Sequence, residues 1–500
     1  MIQSLPFTFP SSTPPPEEIH GYISIKGEAS VFTDGLSGWP DSSKPFEAKR
    51  AAQNEARRNL EKAGFIVIAE SPLGVSVVGP PEAYEEISGG RVETVERLTI
   101  AEGSQARYVT NIDIVGDKQP ETLGVAQPKS KATKIDGIVI ERPKVPYARP
   151  RGVFPSPIPP NSPRFHLRVP NDVSVGLGAS NAHREGFNGD GVNVAMVDTG
   201  QFSHPYFLAH RYRVRRAIAM VPGTDPSKDP VSHGTGESAN IFAVAPGAVL
   251  QPIRASNKNG ALVAALSGFI KAKELKPAIL TNSWGGDGPF PPPGGPDEAD
   301  LAMAAEIQHA IESGILVVFS AGNGHFSIEP QVPGVLAAGG VFMSPDLALQ
   351  ASDYASGYKS PWFPNVTVPT VCGLVGMLPR AQYIMLPVQP GSELDVEQSR
   401  PDLPDDPEGD GTTAGDGWAL FSGTSAAAPQ LAGVAALILG AKPGLKPAQV
   451  IEAMSRTATD VRAGRCHPRF NNLARAGHDD ATGSGIVNAS AAVRFALENF

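Results

Sequence analysis

"GVNVAMVDTG", residues 191–200, is an almost unbroken apolar run that stops on an aspartate at a Thr-Gly turn. A strand with one wet face alternates apolar and polar residues. A run that does not alternate suits a strand covered on both faces. Four more such runs follow: "AVLQPIRAS" (248–256), "AILTNSWGG" (278–286), "GILVVFSAGN" (314–323) and "PGVLAAGGV" (333–341). Between them, "ALVAALSGFIKAKEL" (261–275) and "DEADLAMAAEIQHAIESG" (297–314) read as helices. Alternating strands and helices predict an α/β domain with a mainly parallel sheet, spanning 166–500.

Upstream the pattern changes. Residues 1–20 are rich in Pro and Ser and read as a disordered tail. In 21–100, "GYISIKG" reads as a strand, and Ala48, Ala52, Ala56 and Leu60 recur at helical spacing before Gly64. "FIVIAES" and "GVSVVG" read as strands joined at Ser71-Pro72-Leu73, "PPEAYEEIS" as a short helix, and "RVETVERLTI" as a closing strand. The order β-α-β-β-α-β predicts a small ferredoxin-like α+β domain. Residues 101–165 hold a strand pair around "ARYVTNIDIVG". They then carry eight prolines from Pro143 to Pro163 and five basic residues from Arg142 to Arg164. That segment reads as an extended linker, with a proline-rich docking ligand as the other reading.

Composition narrows the function. Of 500 residues, 41% are hydrophobic, enough for a substantial core, and the net charge is −9. A nucleic-acid or anionic-membrane partner is disfavoured by that charge. The two cysteines, Cys372 and Cys466, form neither a disulfide framework nor a metal-ligand spacing. The opening residues lack a basic start and a continuous apolar core, and no apolar run is long enough to span a bilayer. The expectation is a cytoplasmic protein with no membrane partner.

Four residues stand where open α/β sheets place their chemistry, at strand ends and helix starts. Asp198 ends "VDTG", His233 precedes Gly-Thr-Gly, Asn323 lies in "SAGNG", and Ser425 lies in "SGTSAAAP" before a buried helical run. Each has an ordinary structural role on its own. Together they offer a hydroxyl nucleophile, a base, a residue to orient the base, and an oxyanion donor. The order Asp…His…Ser is one of the few known triad orders. Pro429, four residues after Ser425, is a puzzle, because proline inside a helix removes a hydrogen bond and costs about 3 kcal/mol.

Across about 170–495 these motifs, with the closing "GSGIVNASAAV", resemble a subtilisin-like serine protease, a subtilase. The resemblance implies a subtilisin-like catalytic domain that cleaves protein or peptide substrates and needs no cofactor for the chemistry. It implies that Asp198, His233 and Ser425 form the triad and that Asn323 helps bind the oxyanion. "NSWGG" is similar to the family's substrate-pairing edge, so Ser283, Trp284 and Gly285 are expected to wall the specificity pocket. A core role for the Trp284 ring is the alternative. Residues 21–100 resemble a subtilase propeptide, which makes the chain's own N-terminal domain an expected partner that chaperones or inhibits. Gly236 stands where many subtilases carry a second histidine, outside the triad.

One segment is unusual. Residues 391–417 carry nine acidic residues against one arginine. They read as a solvated loop, a structural calcium site, or a surface that steers basic substrates. Two further functions compete with endopeptidase: a regulated intracellular protease whose N-terminal domain stays attached and reads substrate, and an inactive peptide-binding relative. A lipase-type Gly-x-Ser-x-Gly is absent around Ser425.

Overall fold

The computed structural model describes residues 8–37, 42–100, 106–130, 134–146, 165–378, 381–400 and 409–500. The N-terminal elements are β1 (Thr8–Pro10), β2 (Ile19–Ile25), α1 (Arg50–Lys62), β3 (Ile66–Ser71), β4 (Gly74–Gly79), α2 (Pro81–Ser88), β5 (Arg91–Ile100), β6 (Ala106–Val115) and β7 (Ile135–Ile140). The strands order as β3-β4-β2-β7, every neighbouring pair antiparallel. This is the ferredoxin-like arrangement with one substitution. "RVETVERLTI" is a strand, but β5 leaves this sheet to pair with β6 and β1, and β7 takes the closing position.

Two boundaries therefore change. Residues 106–146 are not an extended linker, because β6 and β7 use their backbone groups in sheets. The tail expected over 1–20 contributes β1, paired with β5, and the first residues of β2. Residues 1–7 and the proline-rich stretch 147–164 lie outside the described residues.

A short strand, β8 (Val145–Pro146), leads on to the second domain. Its main elements are β9 (Asn193–Asp198), α3 (His233–Val244), β10 (Val249–Arg254), α4 (Ala265–Glu274), β11 (Ile279–Asn282), β12 (Trp284–Gly285), α5 (Glu298–Glu312), β13 (Leu316–Ser320), β14 (Leu336–Met343), β15 (Val371–Leu374), β16 (Ile384–Pro387), α6 (Glu393–Ser399), β17 (Trp418–Phe421) and α7 (Thr424–Ala441). Parallel strands run β10-β9-β11-β13-β14-β15, with short strands at the margins. Val194 and Met196 of β9 pack with α3 and α7, whereas Ala195 and Val197 pack with α4 and α5. Both faces are dry, which accounts for the missing alternation. Among the described residues one helix, α7, is long and apolar enough to cross a membrane, and it is the buried central helix of this core.

The N-terminal sheet is covered on both sides too. Ile19, Ile23 and Ile25 of β2 face the domain's own core with Ala56, Leu60 and Val75. Tyr22 faces the other way, joining Phe32, Phe46 and Leu73 in a cluster with Leu266, Phe269 and Met303 of α4 and α5. Polar contacts fix the docking. Tyr22 and Ser71 hydroxyls donate to Glu306 at 2.9 and 2.5 Å, and Ser43 donates to Glu312. Glu141 caps α4 by accepting from the Leu266 and Ser267 amides and the Ser267 hydroxyl.

Candidate active site

Asp198 is the last residue of β9 and His233 the first of α3. His233 Nδ1 lies 2.7 Å from Asp198 Oδ1, and both side chains are buried. The turn before His233 is held by Asp229, absent from the sequence-level candidates. Its carboxylate accepts from Thr199 Oγ1, Ser232 N, Thr235 N and Thr235 Oγ1 at 2.7–2.8 Å. Ser232 sits at φ +70°, a left-handed conformation that these bonds hold in place. Burial alone would lower the His233 pKa, but Asp198, Glu237 and Asp229 outweigh it and hold the imidazole up at about 9.

Ser425 is the second residue of α7, behind Gly423 at φ +147°. Pro429 supplies no N–H to the Ser425 carbonyl. Ser283 Oγ donates to that carbonyl instead, at 2.9 Å, tying the nucleophile's backbone to the end of β11. The proline thus frees an acceptor that a neighbouring segment uses. In return, Ser425 Oγ donates to the Ser283 carbonyl at 3.2 Å, and among the described residues His233 Nε2 has no hydrogen-bond partner. Ser425 Oγ is thus not bonded to His233 Nε2; hydrogen bonds of this kind commonly tighten only with substrate.

Asn323 follows β13 and is buried. Its Oδ1 accepts from Thr424 N at 2.9 Å and Thr424 Oγ1 at 3.0 Å, and Thr424 Oγ1 accepts from Gly322 N at 3.0 Å. With the oxygen engaged by Thr424, Nδ2 is the amide's remaining polar group, and it can only donate. This lock, which the sequence motif does not reveal, makes the amide's orientation part of the helix start.

Ser283, Trp284 and Gly285 lie along one edge. The Trp284 indole belongs to the core: fully buried, it donates Nε1–H to the Val197 carbonyl at 2.7 Å and meets Phe319 edge-on. Its backbone lies on an edge that pairs with the N-terminal part of the chain. There β12 pairs antiparallel with β8, Trp284 opposite Pro146 and Gly285 opposite Val145, while Lys144 bridges to Leu262. Residues 144–146 of the chain's own N-terminal part thus lie between Leu262 and β12.

The subtilase family profile matches residues 189–485, more than half of the chain. The chain belongs to the subtilase family. Fervidolysin of Fervidobacterium pennivorans is 27% identical over 417 residues, covering 75% of this chain and 52% of its own length. Subtilisin NAT of Bacillus subtilis subsp. natto is 27% identical over 339 residues, covering 65% of this chain and 71% of its own. The solved structure of fervidolysin, a keratinolytic enzyme related to subtilisin, superposes with a TM-score of 0.54 at 19% identity. That likeness covers 95% of this chain and 61% of fervidolysin, and it shows the shared fold. This subtilase spans about half the length of its curated relative fervidolysin. Fervidolysin and the subtilisins are secreted proteases, which corrects the expected cytoplasmic location.

Subtilases need no cofactor for catalysis. Two buried carboxylates of the acidic segment are already engaged by the protein itself. Asp395 spends its oxygens on the Gly391, Gly415 and Gly417 amides, and Asp410 on Thr412 and Leu420. Among the described residues no group of three or more His, Cys, Asp or Glu is placed to hold a metal. Asp402, Asp405, Asp406 and Glu408 lie outside them.

Proposed function

We propose that this subtilase is a serine endopeptidase whose N-terminal domain docks as an inhibitor and is severed from it by Ser425. The observation that carries the proposal is the backbone pairing of residues 144–146 with Leu262 and β12. An extended peptide that adds itself to an exposed edge is bound through its main chain, whatever its side chains. A substrate would enter the same way, so the tethered strand competes with it.

The chemistry follows from the positions. His233 Nε2 takes the proton from Ser425 Oγ as the oxygen attacks the scissile carbonyl, and Asp198 holds the imidazole tautomer and stabilises the imidazolium. The tetrahedral oxyanion accepts from Asn323 Nδ2 and the Ser425 backbone N–H. His233 then gives its proton to the leaving amine, and water releases the acyl group by the same path.

The register also selects a bond. The antiparallel run carries the tethered chain from Gly285 past Trp284 toward Ser283, and the Ser283 carbonyl is 3.2 Å from Ser425 Oγ. The next residue of the chain after Pro146 is Tyr147. We therefore assign the Tyr147–Ala148 bond as the processing site. Peptidase activity is tested by incubating wild type and Ser425→Ala with an unfolded protein substrate. Wild type should degrade it and Ser425→Ala should not, with equal melting temperatures. Hydrolysis that persists in Ser425→Ala would remove the assignment of the nucleophile.

A further inference from the structure

Glu237 lies one helical turn after His233 on α3 and is fully buried. Asn240 Nδ2 donates to its Oε2 at 2.8 Å. Among the described residues its Oε1 has no hydrogen-bond partner, and it stands 3.9 Å from His233 Nε2, which likewise has none there. Asn240 is in turn held by Gln430 of α7, which is clamped to the backbone of Leu374 on β15. A polar chain thus runs from the sheet, through the nucleophile's helix, to the catalytic ring. Ile241, Phe242 and Ala243 fill the rest of that helix with apolar bulk, and a buried carboxyl with a spare oxygen is costly unless it has a task.

We propose that Glu237 is a positioning residue for the catalytic base, holding the His233 ring from its Nε2 side and setting the pH at which that nitrogen accepts the serine proton. The proposal rests on the reading of His233 as the base. The other charged groups acting on the pair are Asp198 at the end of β9 and Asp229 in the turn before α3. The neighbouring parts of α7, β16 and β17 bring uncharged groups, Gln430, Leu386 and Phe421. Burial pushes the Glu237 carboxyl up to about 8, so it ionises just before His233 gives up its proton near 9. The carboxylate then favours the imidazolium and delays the appearance of the neutral base.

Glu237→Gln keeps the shape and an acceptor for Asn240 while removing the charge. The acidic limb of kcat/KM should move down by up to about one pH unit, with the gain concentrated at about pH 8–9, where Glu237 is ionised, and little change at pH 7, where it is mostly neutral. Nitrogen-15 NMR of His233 in the full-length Ser425→Ala chain needs no turnover and gives the second readout. With Glu237 present, Nε2 should report two coupled protonation steps; once Glu237→Gln is added to that chain, it should report one step at lower pH. A single step with Glu237 present, or a limb unmoved in Glu237→Gln, overturns the proposal. If nothing is hydrolysed at any pH, the endopeptidase reading fails and the NMR titration alone decides the role of Glu237.

Discussion

At Ser425 two oddities of the sequence have one physical cause. The small residues around it and the proline four positions on leave a carbonyl that Ser283 claims and an Oγ that meets the Ser283 carbonyl. Sequence alone places the base near its ordinary pKa of about 6.5. The structure surrounds His233 with acids that hold it at about 9. Only the neutral ring can take the serine proton, so kcat/KM should rise with pH through about 9 in a pH–rate profile; a plateau already reached at pH 7 would contradict this. Asn323 gives a second test at this scale. Asn323→Ala should lower kcat far more than it raises KM, because an oxyanion donor acts where charge develops. In subtilisin itself, loss of such a donor costs about 10²–10³ in kcat. Asn323→Gly separates the amide from the turn: near-normal turnover with backbone freedom retained would mean the residue only shapes the loop.

At the scale of elements, the strands and helices were legible and their partners were not. "RVETVERLTI" alternates as a strand should, yet alternation carries no information on which sheet will take it, and β5 pairs with β6. "IDGIVI" sits beside a proline-rich stretch whose composition speaks for a linker, and it is β7, buried in the sheet. The motifs of Asp198, His233 and Ser425 were readable because each residue sits at a strand end or helix start within two residues of a glycine. Asp229, Glu237 and the Thr424–Asn323 lock were not, since their roles depend on contacts made only after folding. The acidic segment makes the same point. Its charge suggested solvent or calcium, but Asp395 is buried and ties α6 to the turn before β17 through backbone amides. Asp395→Ala should destabilise the protein by about 2–3 kcal/mol in denaturant unfolding, the scale of hydrogen bonds to a buried charge. A change under about 0.5 kcal/mol would show that the segment folds without it.

For the whole molecule, two domains share one apolar cluster, and residues 144–146 pair with Leu262 and β12 of the second domain. Burial at the start of α4 pushes the Glu141 carboxyl from an ordinary 4.5 up to about 7. A carboxyl raised on docking contributes fully below about pH 4.5, and its contribution fades as pH climbs toward 7. The cleaved N-terminal domain should therefore be held more weakly at pH 7 than at pH 4.5. Glu141→Gln should flatten that dependence, as read by size-exclusion chromatography of the cleaved complex. Equal pH dependence in both proteins would assign the effect elsewhere. The central claim is that the chain's own strand lies in the cleft and that Ser425 cuts the bond just beyond it. Intact-mass spectrometry of wild type and Ser425→Ala tests this most directly. The account predicts a wild-type fragment beginning at Ala148 and an uncut Ser425→Ala chain. An active wild type that stays full length, or the same cut in Ser425→Ala, would contradict it.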